Sequence, residues 1–280
     1  MRLLITGANG MLGHRVVAEA RARGHEATGT DIDDLDLTDA AAVEARVAEL
    51  APEAIVHCAA YTDVDGAEGD EELATAVNGD AAGHVARAGA RAGAFVLLVS
   101  TDYVFAGDAG EPYLEDDEPS PRTAYGRSKL AGERAVAAAG AEHAICRTAW
   151  LFGAGGKNFV DTMLALGDER DEVHVVADQV GCPTWTGHLA PALLDVAERR
   201  AGGIHHLTGG GQCTWFELAL EAMARAELEC RVVATTTERF PRPAPRPAYS
   251  VLGAARPDAI VLPPWRDGVR GHLAERRVLT

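Results

Sequence analysis

With 280 residues the chain can bury a large core and stands near the size at which one core divides into two. A formal charge of −16, from 26 basic and 42 acidic residues, argues against a nucleic-acid surface or a polybasic membrane contact, and an acidic excess with only two lysines suits a protein adapted to high salt. Cys58, Cys146, Cys182, Cys213 and Cys230 are odd in number and widely spaced, which fits neither a disulfide framework nor a zinc site, so reduced, mostly buried thiols in a cytoplasmic protein are expected.

Met1-Arg2 leads straight into an apolar run with no signal-peptide pattern, and no segment approaches the roughly 18 unbroken apolar residues of a membrane span. Residues 2–6 read as a buried strand, followed by Gly7-Ala8-Asn9-Gly10-Met11-Leu12-Gly13 and a helix to about Arg23. Glycines at 7, 10 and 13 let the backbone turn sharply, approach a pyrophosphate and pack helix on strand, while the helix N-terminus attracts phosphate charge. The spacing departs from the commonest dinucleotide fingerprint, but its place between a strand and a helix reads as a nucleotide loop. A second strand, Glu26 to Thr30, ends at Asp31, whose carboxylate can accept from a ribose diol and repel a 2′-phosphate; this leans toward NADH over NADPH. Asp33, Asp34, Asp36 and Asp39 crowd the same loop, so most of them are solvated, and Asp36-Leu37 is an alternative flank for the adenine.

A helix over about 39–50 and a strand Ala54–His57 follow, ending in Cys58-Ala59-Ala60-Tyr61-Thr62, where small residues leave room for a flat cofactor across the sheet. His57 reads as a satisfied core histidine rather than a catalyst. After a helix over about 71–92, Phe95–Val99 is a continuous apolar run, the pattern of a central parallel strand. Ser100-Thr101-Asp102 then places hydroxyls at the carboxyl end of the sheet, where open α/β sheets bind ligands. A polar loop, 106–121, leads into a helix from Pro121 to about Ala139 that carries Tyr125 and Lys129. Four residues apart, those two side chains share a helical face. A tyrosine titrates near pH ~10, so proton exchange at neutral pH requires stabilising its anion by roughly 3 pKa units, which a neighbouring ammonium supplies. With five tyrosines and two lysines in the chain, a chance pair at this spacing is rare.

Beyond the strand Ala144–Thr148 and Trp150 the alternation of strand and helix turns irregular. A glycine-rich turn at 153–158, a short helix over 159–166, a strand Val173–Val176 and a helix over about 187–199 follow, the last two expected to return to the main sheet. A helix near 215–227 and the stiff, proline-broken segment Pro241–Pro247 complete the chain. The expected organisation is α/β, a Rossmann-like doubly wound parallel sheet over 1–150, rejoined by part of 173–200, with a smaller C-terminal α/β substrate domain over 151–280.

Gly7, Gly10 and Gly13, then Thr101, then Tyr125 and Lys129, in this order, resemble the extended short-chain dehydrogenase/reductase superfamily. Within it the chain resembles the dTDP-4-dehydrorhamnose reductase family nearly end to end: Ala60 to Asp65, Ser100 to Phe105, Tyr125-Gly126 with Ser128 to Glu133, Arg147 to Trp150, Asn158-Phe159, Asp178-Gln179 with Gly181 and Pro183-Thr184, Arg246-Pro247 and Trp265. The Ser100–Phe105 stretch and the Trp150 region are the most specific to that family. The resemblance implies that Gly10, Met11 and Leu12 hold a pyrophosphate, Asp31 and Asp36-Leu37 the adenosine end, and Ala60-Tyr61-Thr62 the nicotinamide side of NADH or NADPH. Lys129 would bond the nicotinamide ribose and lower the tyrosine pKa. Thr101 would bind the sugar ketone beside Tyr125, with Asp102 next to it, and Trp150, Asn158 and Arg246 would contact substrate. Ser100 adjoins Thr101, and the sequence alone does not separate their roles.

The implied reaction is hydride delivery to the C4 carbonyl of a nucleotide-linked hexulose, with Thr101 and Tyr125 holding the developing alkoxide and Tyr125 giving the proton. A dehydratase of this superfamily needs Thr-Asp-Glu, and Tyr103 stands where its glutamate would be. An epimerase and a non-catalytic NADP-binding subunit are the other readings; intact Thr101, Tyr125 and Lys129 weigh against the latter. The partner expected is a small nucleotide sugar, with no nucleic acid and no membrane, and a homodimer as the assembly. The Mg²⁺ that some family members are said to use finds no ligand cluster in this sequence.

Overall fold

The computed structural model describes residues 1–279. The first half alternates strand and helix: β1 (Arg2–Thr6), α1 (Gly13–Ala22), β2 (Glu26–Thr30), α2 (Ala40–Leu50), β3 (Ala54–His57), α3 (Val64–Gly69), α4 (Glu71–Thr75), α5 (Ala81–Ala92), β4 (Phe95–Thr101), α6 (Ala124–Ala138) and β5 (His143–Thr148). The second half is less regular: β6 (Leu151–Phe152), α7 (Phe159–Glu169), β7 (Glu172–Val176), β8 (Val180–Gly181), β9 (Thr184–Trp185), α8 (Thr186–Arg199), β10 (Gly203–His206), β11 (Cys213–Thr214), α9 (Trp215–Arg225), β12 (Arg231–Thr235) and α10 (Trp265–Leu279).

Six strands form a parallel sheet in the order β10-β5-β4-β3-β1-β2, doubly wound as the sequence led us to expect. Strand alternation distributes its side chains to two cores. Leu3, Ile5, Val56, Phe95, Leu97 and Val99 pack with α1 and α8. Leu4, Ile55, Val96 and Leu98 pack on the opposite face with α2, α5 and α6. A strand buried on both faces must be apolar at every position, which is why the run in β4 is unbroken.

One expectation for the second half is corrected. Strand β7 pairs with β12 in a separate two-stranded sheet and does not join the main one. The sixth strand is instead β10, beyond the expected return at 173–200; it pairs with β5 from Gly203↔Ala144 to His206↔Arg147. Helix α8 does return to the sheet, through Leu189, Leu193 and Leu194. The smaller unit has its own apolar clusters, one joining α7 and α9 with Trp265 and Val269 of α10, the other joining Met163, Val173, Val175, Ala219 and Met223.

All five cysteines are free thiols, four of them buried. Among the described residues no helix is long and apolar enough to cross a membrane, and no group of three or more His, Cys, Asp or Glu is placed to hold a metal ion.

Candidate active site

The glycine loop is built as a cradle between β1 and α1. Gly7 has a φ of +67°, and a Cβ there would lie 2.6 Å from the Ala59 nitrogen, so only glycine fits both the turn and the neighbouring chain. A Cβ on Gly13 would lie 2.0 Å from the Gly7 carbonyl oxygen; the helix therefore starts against the strand end, with its free N–H groups facing the crevice. Asp31 closes the cradle: one carboxylate oxygen accepts from the Asn9 backbone N–H and the other from that of Ile32, both at 2.8 Å. Asp36 is exposed and turned to Thr38, accepting from its backbone N–H at 2.9 Å and its hydroxyl at 2.7 Å. The Leu37 carbonyl is bonded by His84 at 3.0 Å.

His57 is a core histidine, as expected. Its Nδ1 pairs with Thr6 Oγ1 at 2.6 Å, and burial and the Lys129 charge push its pKa down to about 3, so it stays neutral. Beyond β3, Tyr61 is clasped by Asn78, whose amide oxygen accepts from the Tyr61 N–H at 2.8 Å and whose nitrogen donates to the Tyr61 carbonyl at 3.0 Å and to Ser128 Oγ at 2.9 Å. Asn78 sits in a single π turn, Ala76–Asp80, inside the expected helix over 71–92. The bulge also brings the Asn78 carbonyl 2.2 Å from where a Cβ on Gly132 would lie, which explains the glycine in α6. Asn78 was not picked out from the sequence, where it reads as an ordinary helical residue.

Helix α6 opens at Ala124 rather than Pro121, because Thr123 caps it: its hydroxyl accepts from the Gly126 N–H at 3.0 Å. The cap brings the first turn against the end of β4. Tyr125 is half-buried, lies edge-on to Tyr103 with ring centroids 5.5 Å apart, and has its hydroxyl near the Thr101 side chain. Thr101 Oγ1 in turn donates to Asp102 Oδ1 at 2.9 Å. Ser100 points the other way: its hydroxyl donates to Glu133 Oε1 at 2.5 Å, and Glu133 is gripped by Arg147 through bonds of 3.0 and 2.7 Å. The structure thus separates the two adjacent hydroxyls, with Thr101 beside the tyrosine.

Lys129 is bonded within the chain. It is 3 % exposed and its Nζ donates to the Val99 carbonyl at 2.8 Å. Burial lowers its pKa to about 8, against the opposing pull of Glu133. The Tyr125 hydroxyl is not made more acidic. Burial, followed by the Asp102 charge, pushes it up to about 12, and the nearby Thr101 hydroxyl only partly offsets this. Tyr125 is therefore a loaded proton donor.

The far wall is made of loops. Trp150, with a φ of +49° after β5, stacks face to face on Trp215, ring centroids 3.5 Å apart, and Phe159 tilts against the same Trp215. Trp215 Nε1 donates to Gln179 at 3.0 Å, and Gln179 donates to Thr237 at 3.0 Å, so three distant segments hold the stack. Trp215 escaped notice because nothing local links it to Trp150. Arg246 donates to Asp65 at 2.9 Å and to the Ala244 carbonyl at 3.1 Å. With Tyr103, Phe105, Arg122 and Pro247 it lines a cleft of about 130 Å³. Asn158, expected to contact substrate, has its amide used within the chain: it caps α7 at Asp161 and donates to Gly153 and Gly156. It shapes the loop that packs against Met11 and His14 of the glycine cradle.

The family described as the RmlD substrate binding domain matches residues 1–278. A dTDP-4-dehydrorhamnose reductase of Streptomyces griseus is 47% identical over 272 residues, covering 95% of this chain and 90% of its own. The solved structure of a dTDP-4-dehydrorhamnose reductase of Clostridium acetobutylicum superposes with a TM-score of 0.95 at 40% identity, covering 99% of this chain and 100% of its own. That of Bacillus anthracis, in complex with NADP, gives 0.95 at 39% identity, covering 98% and 99%.

Proposed function

The chain belongs to the family described as the RmlD substrate binding domain, and on that premise we propose that it reduces the C4 ketone of dTDP-4-dehydro-L-rhamnose to dTDP-L-rhamnose with NADH or NADPH. The observation that carries this reading is the meeting, at the carboxyl end of one parallel sheet, of the Gly7–Gly13 cradle with Thr101 and Tyr125. The cradle fits a dinucleotide: Gly10, Met11 and Leu12 with the α1 N-terminus would hold its pyrophosphate, Asp31, Asp36 and Leu37 its adenosine end, and Ala60, Tyr61, Thr62 and Lys129 its nicotinamide end. Bound there, the reduced nicotinamide supplies a hydride to the ketone carbon.

The protein's own work is on the oxygen. Thr101 and Tyr125 offer two hydroxyls to the developing oxyanion, and Tyr125, with a pKa near 12, still holds the proton that an alkoxide, a stronger base, removes. Lys129, at about 8, is mainly protonated at neutral pH and keeps a positive charge beneath the site. Trp150 and Arg246 face the substrate from the loop wall, with Asp102 beside Thr101. A cytoplasmic homodimer completes the proposal, with NADH favoured by Asp31 because its carboxylate would oppose a 2′-phosphate.

Absorbance of NADH and of NADPH, followed with dTDP-4-dehydro-L-rhamnose, tests the reading. One nicotinamide oxidised per dTDP-L-rhamnose formed is expected, faster with NADH. Conversion of the sugar without net oxidation would make the protein an epimerase, and cofactor binding with no turnover would make it a binding subunit.

A further inference from the structure

The crevice must hold two things in one frame, a proton donor on α6 and a charged wall on the loops. A helix of 6 residues, α3 (Val64–Gly69), touches both. Its buried Ala67 packs with Ala124 in a small cluster against which Tyr61 and Tyr125 lie. Asp65 and Glu68 flank Ala67 and, three residues apart, share a helical face. Each carboxylate nevertheless reaches a different part of the chain.

Glu68 Oε1 accepts from the Ala124 backbone N–H at 2.8 Å. That N–H is one of the donors a helix start leaves without an intrahelical acceptor, and Ala124 is 1% exposed, so water is a poor substitute. Thr123 serves the Gly126 N–H from within the same segment, whereas Glu68 serves the residue directly before Tyr125 from another helix. Its negative charge also suits the positive end of the α6 dipole. Asp65 holds the proline-broken segment. Its Oδ2 accepts from Arg246 at 2.9 Å, its Oδ1 accepts from the Ala244 N–H at 3.2 Å, and Arg242 approaches the same carboxylate at 3.8 Å. The bonds to Asp65 and to the Ala244 carbonyl engage two of the five N–H donors of Arg246, which leaves three for an anion in the cleft.

Building on the reductase reading above, we infer that α3 is a bracket with two positioning residues: Glu68 sets the first turn of α6, and with it the Tyr125 hydroxyl, while Asp65 sets Arg246 toward the phosphates of the nucleotide sugar. Neither is a catalytic residue; each acts through another. Glu68 governs kcat, because a misplacement of about 1 Å in a reacting group can cost ~10²-fold. Asp65 governs KM, because Arg246 grips the phosphates equally before and during the reaction. Glu68 is exposed and Asp65 half-buried, so replacing either leaves the core intact.

Steady-state kinetics with dTDP-4-dehydro-L-rhamnose separates the two roles. Glu68→Ala should lower kcat about 10-fold with KM within about 2-fold, and Glu68→Gln, whose amide oxygen can accept the same bond, should return kcat to within about 3-fold of wild type. Asp65→Ala should raise KM about 10-fold with kcat within about 2-fold. Because Asp65 works through Arg246, adding Asp65→Ala to Arg246→Met should raise KM by less than about 2-fold further. The Glu71–Arg127 pair also joins this region to α6, but its side chains are 45% and 44% exposed, so Glu71→Gln should leave both constants within about 2-fold. A lower KM in Asp65→Ala would show that Asp65 competes with substrate for Arg246. Glu68→Gln as slow as Glu68→Ala would remove the hydrogen bond from the account, and a loss in Glu71→Gln equal to that in Glu68→Ala would mean that any contact to α6 suffices. Each of these overturns the bracket.

Amide hydrogen exchange of the unliganded protein tests the same contacts without catalysis. Exchange at Ala124 should quicken about 10-fold in Glu68→Ala and hold steady in Asp65→Ala, and exchange at Ala244 should do the reverse. Unchanged rates at both positions refute the bracket. Should wild-type protein reduce no nucleotide-linked ketose, the reductase reading falls, and the exchange pattern still decides whether α3 holds the two segments.

Discussion

The floor and the wall of the crevice are built differently. On the floor, Thr101, Lys129, Glu133 and Arg147 ride on β4, α6 and β5, are nearly fully buried, and bond to groups on neighbouring regular elements. On the wall, Trp150, Gln179, Trp215, Asp65 and Arg246 lie on or beside connecting segments and are held by contacts between parts of the chain far apart in sequence. Proton transfer demands fixed distances of a few tenths of an ångström, which a sheet and helix provide; recognition of a flexible sugar nucleotide tolerates more give. Floor substitutions should therefore strike turnover or folding, and wall substitutions should strike affinity.

The largest effect should come from the floor's reacting group. Tyr125→Phe removes the proton and one oxyanion donor while leaving the ring in its pocket beside Tyr61 and Ala124. Turnover should fall by ~10²–10⁴-fold with cofactor affinity nearly unchanged, read by steady-state rates and by fluorescence titration of bound nicotinamide. Near-normal turnover would place the proton donor elsewhere and dissolve the contrast.

Next is the support beneath it. Arg147 and Glu133 are 1% and 4% exposed and joined at 2.7 Å, and Ser100 shares the same carboxylate. Removing one partner leaves a buried charge uncompensated, so Glu133→Gln or Arg147→Met should each cost about 3–5 kcal/mol in chemical denaturation. The double substitution should cost less than the two single costs added, because it strands neither charge. Full additivity would mean that the pair does not act as a unit.

These two regions also differ in how far the sequence disclosed them. The floor is local: Gly7 to Gly13 lies between one strand and one helix, and Tyr125 and Lys129 share a helical face, so spacing alone aligns them. Even the separation of Ser100 from Thr101 was within reach, since Ser100 has the parity of Val96 and Leu98, which face the helix layer. The Lys129 to Val99 bond was not, because a helical face says where a side chain starts and not which acceptor it finds. Strand β10 was hidden because Gly203-Ile204-His205-His206 carries one aliphatic residue, and its pairing with β5 makes it a strand. Asn78 and Trp215 were hidden for a related reason: their partners, Tyr61 with Ser128 and Trp150 with Gln179, come together only through the tertiary fold.

A smaller effect tests burial on the floor by pH. The Asp102 pKa is raised from 3.8 to about 6, so the folded protein holds this proton more tightly than the unfolded chain. The stability it contributes is complete below the unfolded value and is lost as pH rises through about 6. Asp102→Asn should therefore gain about 2–3 kcal/mol over wild type on going from pH 4 to pH 8, measured by urea denaturation at each pH. A gap between the two proteins that does not grow with pH would mean that the carboxylate is solvated after all.

The smallest effect on folding should come from the wall. Arg246 and Asp65 are joined at 2.9 Å, but their side chains are 21% and 24% exposed, so water screens the pair and competes for it. Arg246→Met should change stability by less than about 1 kcal/mol, the range of partly solvated ion pairs. Its guanidinium nonetheless lines the cleft beside Tyr103, where an anionic nucleotide sugar would find a fixed positive charge. The Michaelis constant should accordingly rise by about 10-fold or more, while kcat stays within about 2-fold, because uniform binding is lost and the proton donor is untouched. If kcat falls and the Michaelis constant does not, Arg246 acts on the transition state, and the wall takes part in the chemistry that the floor was thought to hold alone.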